Sequence, residues 1–564
     1  MRMAHSRGRI FLGLLLVGTF MRSRIPDAAM TTGLKNIVSV GVSNDHAEPD
    51  RGSVIFANQQ PGNDLGAQIV AANAALGSAK GEIRVARSGT ISEPISLLSN
   101  HDLVCAGQVT LMLSTPTASI SQHSNTRIQG CTLASNQILP PSEGAEILSH
   151  GTSHVQVDQV TFIGGGYHIK YDTVSNFSIK DTRHVSITAT GGSPILIDSS
   201  TQGQIISAKI DGYVVPAGNL GIRLIGVNKS TFIAIRDPTI RDVDASTVPG
   251  CGGVTFTASH NSILRGGVIH GLKNCDGVLT ESTGIAASSD IDIIGTVSAD
   301  HNASPGLGKN ANNGEGFDIF NSQRVRLSEV RANNNGETSG NHQPGIEVSN
   351  SREISIKSCI ANDNGADGIK IDGSPGVSLA KSHTNHNGGA GILVMPALGR
   401  VSVTSGSPIV DWTPGGANIT FSAVWPAGTK IVIGGAVYTV ASFQSTTRLT
   451  LTNDLSAATA EYAYNVDSYV EIRGGESLDN GQRSAALPVT QNGGQREGVY
   501  FAGGFSGDIT GRVTSLHAAD TQRHKTQTFG IRIENHARIV AKDNAVSGNL
   551  AGGIKDSPGK SSIH

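Results

Sequence analysis

The chain has 564 residues, of which 16% are charged, and 43 Lys and Arg against 45 Asp and Glu leave a formal net charge of −2. So even a balance carries no polybasic footprint and argues against a nucleic-acid partner, and no apolar run is long enough for a stable membrane span. Gly is frequent (70 residues) and aromatics are scarce (4%), which suits tight turns around thin layers of Ile, Val, Leu and Ala.

At the N-terminus, Arg2, Arg7 and Arg9 form a basic region ahead of the apolar stretch Ile10 to Phe20. Residues 1–29 therefore read as an export signal, although Asp27 beside Ala28 and Ala29 departs from the usual cleavage pattern. Export implies a secreted, periplasmic or cell-surface protein. Residues 30–62 are polar and irregular and read as a leader. Asn63 or Asp64 then caps a short helix with Leu65, Ile69, Ala72 and Leu76 on one face and Gly77 at its C-terminal end. The run GEIRVARSGTISEPISLLSNHDLVCAG follows as short strands. A helix leading into Gly-rich strands resembles the N-terminal cap of the pectin-lyase-like right-handed parallel β-helix superfamily. That resemblance implies a helix covering the open end of a solenoid, whose core and strand edges would otherwise be exposed.

The middle of the chain repeats. Lines of the form Gly–apolar–variable–apolar start at Gly316, Gly345, Gly368 and Gly391, in steps of 29, 23 and 23 residues. A fixed period means a solenoid, and alternation of period 2 makes its unit strands and turns. Earlier coils are expected to start at Gly144, Gly166, near Pro194, and at Gly221, Gly253 and Gly284. The last three steps, to Gly253, Gly284 and Gly316, are 32, 31 and 32 residues. Their surplus falls before each Gly, so long loops should gather along one edge. Residues 400–467 break the pattern with a Thr-rich, aromatic segment containing Trp412, Trp425, Tyr438, Phe443, Tyr462 and Tyr464. It is similar to small β modules of phage-tail and bacterial β-helix proteins. Coils resume over 468–564, with starts at Gly498, Gly530 and Gly553. The expected architecture is all-β: a right-handed parallel β-helix over 63–399 and 468–564, with an N-terminal cap helix and one inserted small β domain.

Of five cysteines, Cys251 and Cys275 occupy matching positions in CGGV and CDGV, and a disulfide between them suits an exported protein. Cys105 and Cys131 lie one coil apart but two residues out of register. Cys359 reads as a buried small hydrophobe. No Cys/His metal spacing occurs.

If the residues one and three after each Gly face the core, the residue two after faces out. Stacked about 4.8 Å apart, these residues form a column: Arg223, Thr255, Ala286, Asp318, Glu347, Lys370, Leu393, Tyr500, Arg532 and Lys555. Asp318, Glu347 and Lys370 on consecutive rungs are the candidate catalytic set. Two carboxylates roughly 5 Å apart suit a retaining glycoside hydrolase, and their repulsion should raise the pKa of one. A lyase or epimerase needs a base beside a uronate and a cation on its carboxylate. Lys370 beside Glu347 suits the cation better than the base. The bland alternative is an exposed ladder whose ion pairs contribute about 0–1 kcal/mol. Arg223, His342, Tyr500, Arg532, Trp412 and Trp425 are candidate substrate-binding residues, with the tryptophans serving equally as module core. Asp363, Asp367 and Asp372 are a candidate Ca²⁺ set. No other cofactor is expected. Asn335, Asn364 and Asn387 should stack as a turn ladder.

NNGEGFDIFN is similar to the Gly-Phe-Asp-Pro-His stretch of mannuronan C5-epimerases, and the resemblance implies a catalytic role for Asp318. Ile319 and Phe320 stand in place of the Pro and His, so the proton-transfer partner is missing from this strand. The polygalacturonase motifs are not found as a set. The expected function is that of an exported polysaccharide-active protein, a glycoside hydrolase or a lyase/epimerase. The alternative is a non-catalytic carbohydrate-binding or adhesin-like surface solenoid.

Overall fold

Alternating burial sets the architecture. Phe317, Ile346, Ile369, Ile392, Val499 and Ile531 are strand partners in turn, and all are buried. Ile319, Val348, Ile371, Val394, Phe501 and Ile533 form a second stack two residues on. Each such Ile, Val or Phe contributes about 1.5–3 kcal/mol by leaving water, and a slip of one residue would turn the whole stripe outward. Pairing is parallel throughout the coils, in sheets of 19, 15 and 9 strands. The structure is a computed structural model. It describes residues 52–563 apart from 136–143, 186–192, 216–221, 247–249, 285, 303–313, 337–342, 415–419, 426, 467, 482–495, 503–509, 522–525, 535–536 and 558–560. The export-signal segment and His342 therefore lie outside the described residues.

The Leu65–Leu76 helix begins at Asp64, whose Oδ1 accepts from the Ala67 amide at 2.7 Å. It ends at Gly77, at φ 65°, where left-handed backbone favours glycine. Leu65, Ile69, Ala72 and Leu76 are buried. The solenoid starts earlier than expected, since Ser53–Phe56, within the expected leader, is a strand paired with Gly81–Val85.

Polar ladders hold the turns. Asn335 Nδ2 donates to Asn364 Oδ1 at 3.1 Å, Asn364 Nδ2 to Asn387 Oδ1 at 3.0 Å, and Asn387 Nδ2 to Asn480 Oδ1 at 3.0 Å. On another corner, the amides of Ser322, Ser351 and Ser374 donate to the hydroxyls of Ser351, Ser374 and Ser468. These contacts satisfy buried turn amides that no strand can reach. The Ser374–Ser468 link also closes the coil across the insertion.

The inserted segment forms a closed six-stranded antiparallel barrel of Ala397–Val403, Ile409–Thr413, Lys430–Ile433, Ala436–Ser445, Arg448–Leu451 and Ala460–Val466. Its core includes Val401, Phe421, Trp425 and Tyr464. It docks on the solenoid through Ser422 Oγ, which donates to Asn350 O at 2.8 Å, and through Ala287.

Two expectations need correction. Gly284 does not start a coil. A Cβ on Gly253 would meet Gly277 O, and one on Gly277 would meet Gly316 O, so the coil starts at Gly277 and the steps are 24 and 39 residues. Gly284 lies in a turn at φ 89°. The Gly284-Ile-Ala motif imitates a strand start, whereas the true one carries polar Thr280 in a core position. Cys105 and Cys131 are also bonded, with Cα atoms 5.0 Å apart. Val104 pairs with Gln129, so Cys131 is one residue out of register, and the bend at Gly130, φ 72°, brings it back. Cys251 and Cys275 are bonded in register, and Cys359 is free and buried.

Candidate active site

The 15-stranded sheet carries the outward column. Its register runs Gly226, Thr255, Leu279, Asp318, Glu347, Lys370, Leu393, Tyr500, Arg532, Lys555. Leu279 takes the place expected for Ala286. Arg223 lies three residues before the column position held by Gly226 and pairs with Gly252 instead.

Asp318, Glu347 and Lys370 are consecutive partners. Lys370 Nζ lies 2.9 Å from Glu347 Oε1 and 3.6 Å from Asp372 Oδ2. Ser349 Oγ donates to Glu347 at 2.9 Å. Lys370 is buried, whereas Asp318 and Glu347 are half-buried, with 14% of the Glu347 side chain exposed. With Glu281, whose side chain is 19% exposed, these two carboxyls form the accessible part of a larger acidic cluster. Around them stand Asp276 and Glu281, at the two ends of one strand, Glu315 just before the Phe317–Phe320 strand, and Asp367 and Asp372 on the Lys370 rung.

The environment separates the carboxyls. Burial, then the charges of Asp276, Glu347, Glu281 and Asp372, push Asp318 well above the usual aspartate range. Burial also pushes Glu347 up, but Lys370 outweighs it by charge and hydrogen bond, with Ser349 and Glu315 assisting, and Glu347 lies below the usual glutamate range. Glu315 is pushed well up by burial and by Asp276. Its Oε2 meets no donor, as expected of a carboxyl that carries its own proton beside Asp276 and Glu347. Burial raises Asp276 to about 6. Burial, offset in part by Lys370, leaves Asp372 at about 6. Lys370 itself is pulled down by burial but held firmly protonated by Glu347 and Asp372. The result is a protonated and an ionised carboxyl on adjacent rungs, the separation that acid and base partners require.

Sequence reasoning missed Asp276, Glu281 and Glu315. A signal was present for two of them: an acid stands directly before Gly277, Gly316, Gly368 and Gly498. All four of these acids are buried. Asp276 accepts from the Gly314 amide at 3.0 Å and Asp367 from the Ala390 amide at 2.7 Å.

Other candidates fall elsewhere. Arg223 Nε lies 3.1 Å from Glu281 Oε1, and its guanidinium is thereby engaged at the edge of the cluster. Arg532 bonds Glu497 at 2.9 Å and Glu534 at 2.8 Å and lies over the Tyr500 ring. Tyr500 donates to Glu534 at 2.7 Å. This group is separated from Lys370 by buried Leu393, so neither residue faces the carboxyl pair. Trp425 is 2% exposed inside the barrel and offers no face for sugar stacking. Trp412 is half-buried against the same core. The calcium candidates are not brought together: Asp363 is exposed at 3.8 Å from His386, whereas Asp372 faces Lys370. Among the described residues no His, Cys, Asp and Glu cluster has metal-holding geometry.

The family described as right handed beta helix region matches residues 309–405, the span that carries the repeats and the carboxyl pair. The chain is a right-handed parallel β-helix. Similar solved structures include the periplasmic alginate epimerase AlgG, at 14% identity and TM-score 0.38, covering 72% of this chain and 73% of that one. The surface adhesin PfbA of Streptococcus pneumoniae is 12% identical with TM-score 0.44, over 72% and 99% of the two chains. The A-module of the Azotobacter vinelandii mannuronan C-5 epimerase AlgE4 is 12% identical with TM-score 0.34, over 91% and 100%. No curated protein matches the sequence significantly. A β-helix of this distant kind says nothing by itself about chemistry.

Proposed function

We propose that this β-helix is an exported, polysaccharide-active glycoside hydrolase in which Asp318 is the acid and Glu347 the nucleophile. The observation that carries it is the opposite displacement of two half-buried carboxyls on adjacent rungs. The rung spacing of about 4.8 Å lies near the separation used for retention. Asp318 would protonate the leaving glycosidic oxygen as Glu347 bonds to the anomeric carbon. Asp318, now ionised, would take a proton from water, the water oxygen would displace Glu347, and Asp318 would be protonated again. Lys370 keeps Glu347 ionised before attack. Because Lys370 stays protonated between Glu347 and Asp372, it does not supply the base of a lyase or epimerase. Two disulfides suit an oxidising compartment, in line with the basic and apolar N-terminus.

A second reading, a non-catalytic carbohydrate-binding surface solenoid, draws on the Tyr500–Arg532–Glu534 group, whose polar atoms are satisfied among themselves. A reducing-end assay on a polysaccharide panel separates the two. Wild type should release ends, and Asp318→Asn and Glu347→Gln should each fall by roughly 10²-fold or more. No turnover on any polymer favours the binding solenoid, and turnover that survives both substitutions overturns the assignment of Asp318 and Glu347.

A further inference from the structure

Resting on the hydrolase reading of this site, we propose that it takes a sugar ring without a carboxylate, a neutral hexose or N-acetylhexosamine unit, and turns polyuronates away. Donors and acceptors around the carboxyl pair decide which ring fits. A uronate would need a cation or several N–H donors aimed at its carboxylate. The two cations beside the pair are already committed: Lys370 to Glu347 and Asp372, and Arg223 to Glu281. Facing them, from four neighbouring strands and the turns before them, are Asp276, Glu281, Glu315, Asp318, Glu347, Asp367 and Asp372. Even with Asp318 and Glu315 protonated, the ionised carboxylates outnumber the cations. An incoming carboxylate would lose its hydration and meet like charge, an arrangement that costs several kcal/mol.

The unmet atoms point the same way. Asp372 Oδ1 and Asp367 Oδ2, both more than nine-tenths buried, have no hydrogen-bond donor. They lie on the rung of Lys370, and both carboxyls interact with Lys370 and Glu347. Neither carboxyl therefore offers a free donor to a bound anion, and Lys370 is already shared among acceptors. Sugar hydroxyls and acetamido N–H groups supply donors, and a carboxylate supplies none. Apolar Leu279, half-buried on the rung before Asp318, offers a surface to a sugar face and nothing to an anion.

The experiment is affinity electrophoresis of the folded full chain in gels containing a soluble neutral glucan, a soluble chitin derivative or a polyuronate, with reducing-end release measured in parallel. Wild type should be retarded by at least one uncharged polymer, on the order of tenfold more strongly than by the polyuronate, and Leu279→Asp should abolish the retardation. Glu281→Gln, which frees Arg223, should raise retardation by the polyuronate. Melting curves of each variant report on folding separately. Stronger retardation by the polyuronate, or retardation by no polymer, overturns the proposal. Retardation by a neutral polymer without release of ends would sink the hydrolase reading and leave this one standing.

Discussion

Lys370 Nζ sits 2.9 Å from Glu347 Oε1 with only 11% and 14% of the two side chains exposed. Removing one partner of such a pair strands the other as an uncompensated charge. Lys370→Met should therefore destabilise the fold by about 3–5 kcal/mol, measured as a shift in the urea midpoint. The double variant Lys370→Met/Glu347→Gln should recover most of that loss, because the only carboxyl left without Lys370 is Asp372, which burial already pushes towards its neutral form. A double variant no more stable than the single one would mean that Lys370 acts through packing of its stem.

The same cluster should give an unusual pH dependence. Burial raises Asp367 to about 7, with the Ala390 amide and Lys370 easing it and Glu347 and Glu497 opposing them. Asp276 and Asp372 reach about 6. Unfolded aspartates titrate near 4, so between about pH 4 and 7 the folded state binds more protons than the unfolded one. Stability then falls as pH rises through this window, and the stabilising contribution is fully present only below the unfolded pKa. Melting temperature should increase as pH is lowered from 8 towards 5. Asp367→Asn should flatten that slope and raise the melting temperature at pH 8. A wild-type melting temperature constant from pH 5 to 8 would contradict the assignment.

The proposed hydrolysis would titrate on two groups. It needs Asp318 protonated and Glu347 ionised, so the acid limb of the rate profile should follow Glu347 and the alkaline limb Asp318. Because Asp318 is pushed up and Glu347 held down, the plateau should be broad. Glu281→Gln removes one charge that raises Asp318 and should move only the alkaline limb, towards lower pH.

How much of this was legible in the sequence follows from what repeats. The Gly-started lines at Gly316, Gly345 and Gly368 are uninterrupted, so strand register could be laid out by eye, and the pairing of Asp318, Glu347 and Lys370 followed from it. Register failed where a core position is polar. Thr280 hides the start at Gly277, and Gly284 imitates one in its place, which moves Ala286 into the expected column and Leu279 out of it. Arg223 was misplaced for a related reason, because Ile222–Asn228 is a longer strand that begins before the shared register. The buried acids before Gly277, Gly316, Gly368 and Gly498 were visible as letters. Their burial was not, because it depends on how successive turns stack.

The repeating Gly has a reason that suggests a last experiment. A Cβ on Gly345 would lie 2.5 Å from Asn364 Nδ2 and 2.9 Å from Ala332 O, so the Gly that opens each coil makes room for the Asn that closes it. Gly316 with Asn335 and Gly368 with Asn387 repeat the relationship, at 2.8 and 2.7 Å. The Asn cannot step aside, since Asn364 donates to Asn387 while its own Oδ1 accepts from the amide and side chain of Asn335. Gly345→Ala should therefore push Asn364 out of the ladder and leave buried amides unmet, at about 1–3 kcal/mol each. Asn364→Ala alone should cost a similar amount by removing the acceptor directly. Gly345→Ala/Asn364→Ala should cost less than the sum of the two, because the second change removes what the first collides with. Urea denaturation of the four proteins measures the coupling, and strictly additive losses would show that Gly345 serves the backbone rather than the ladder.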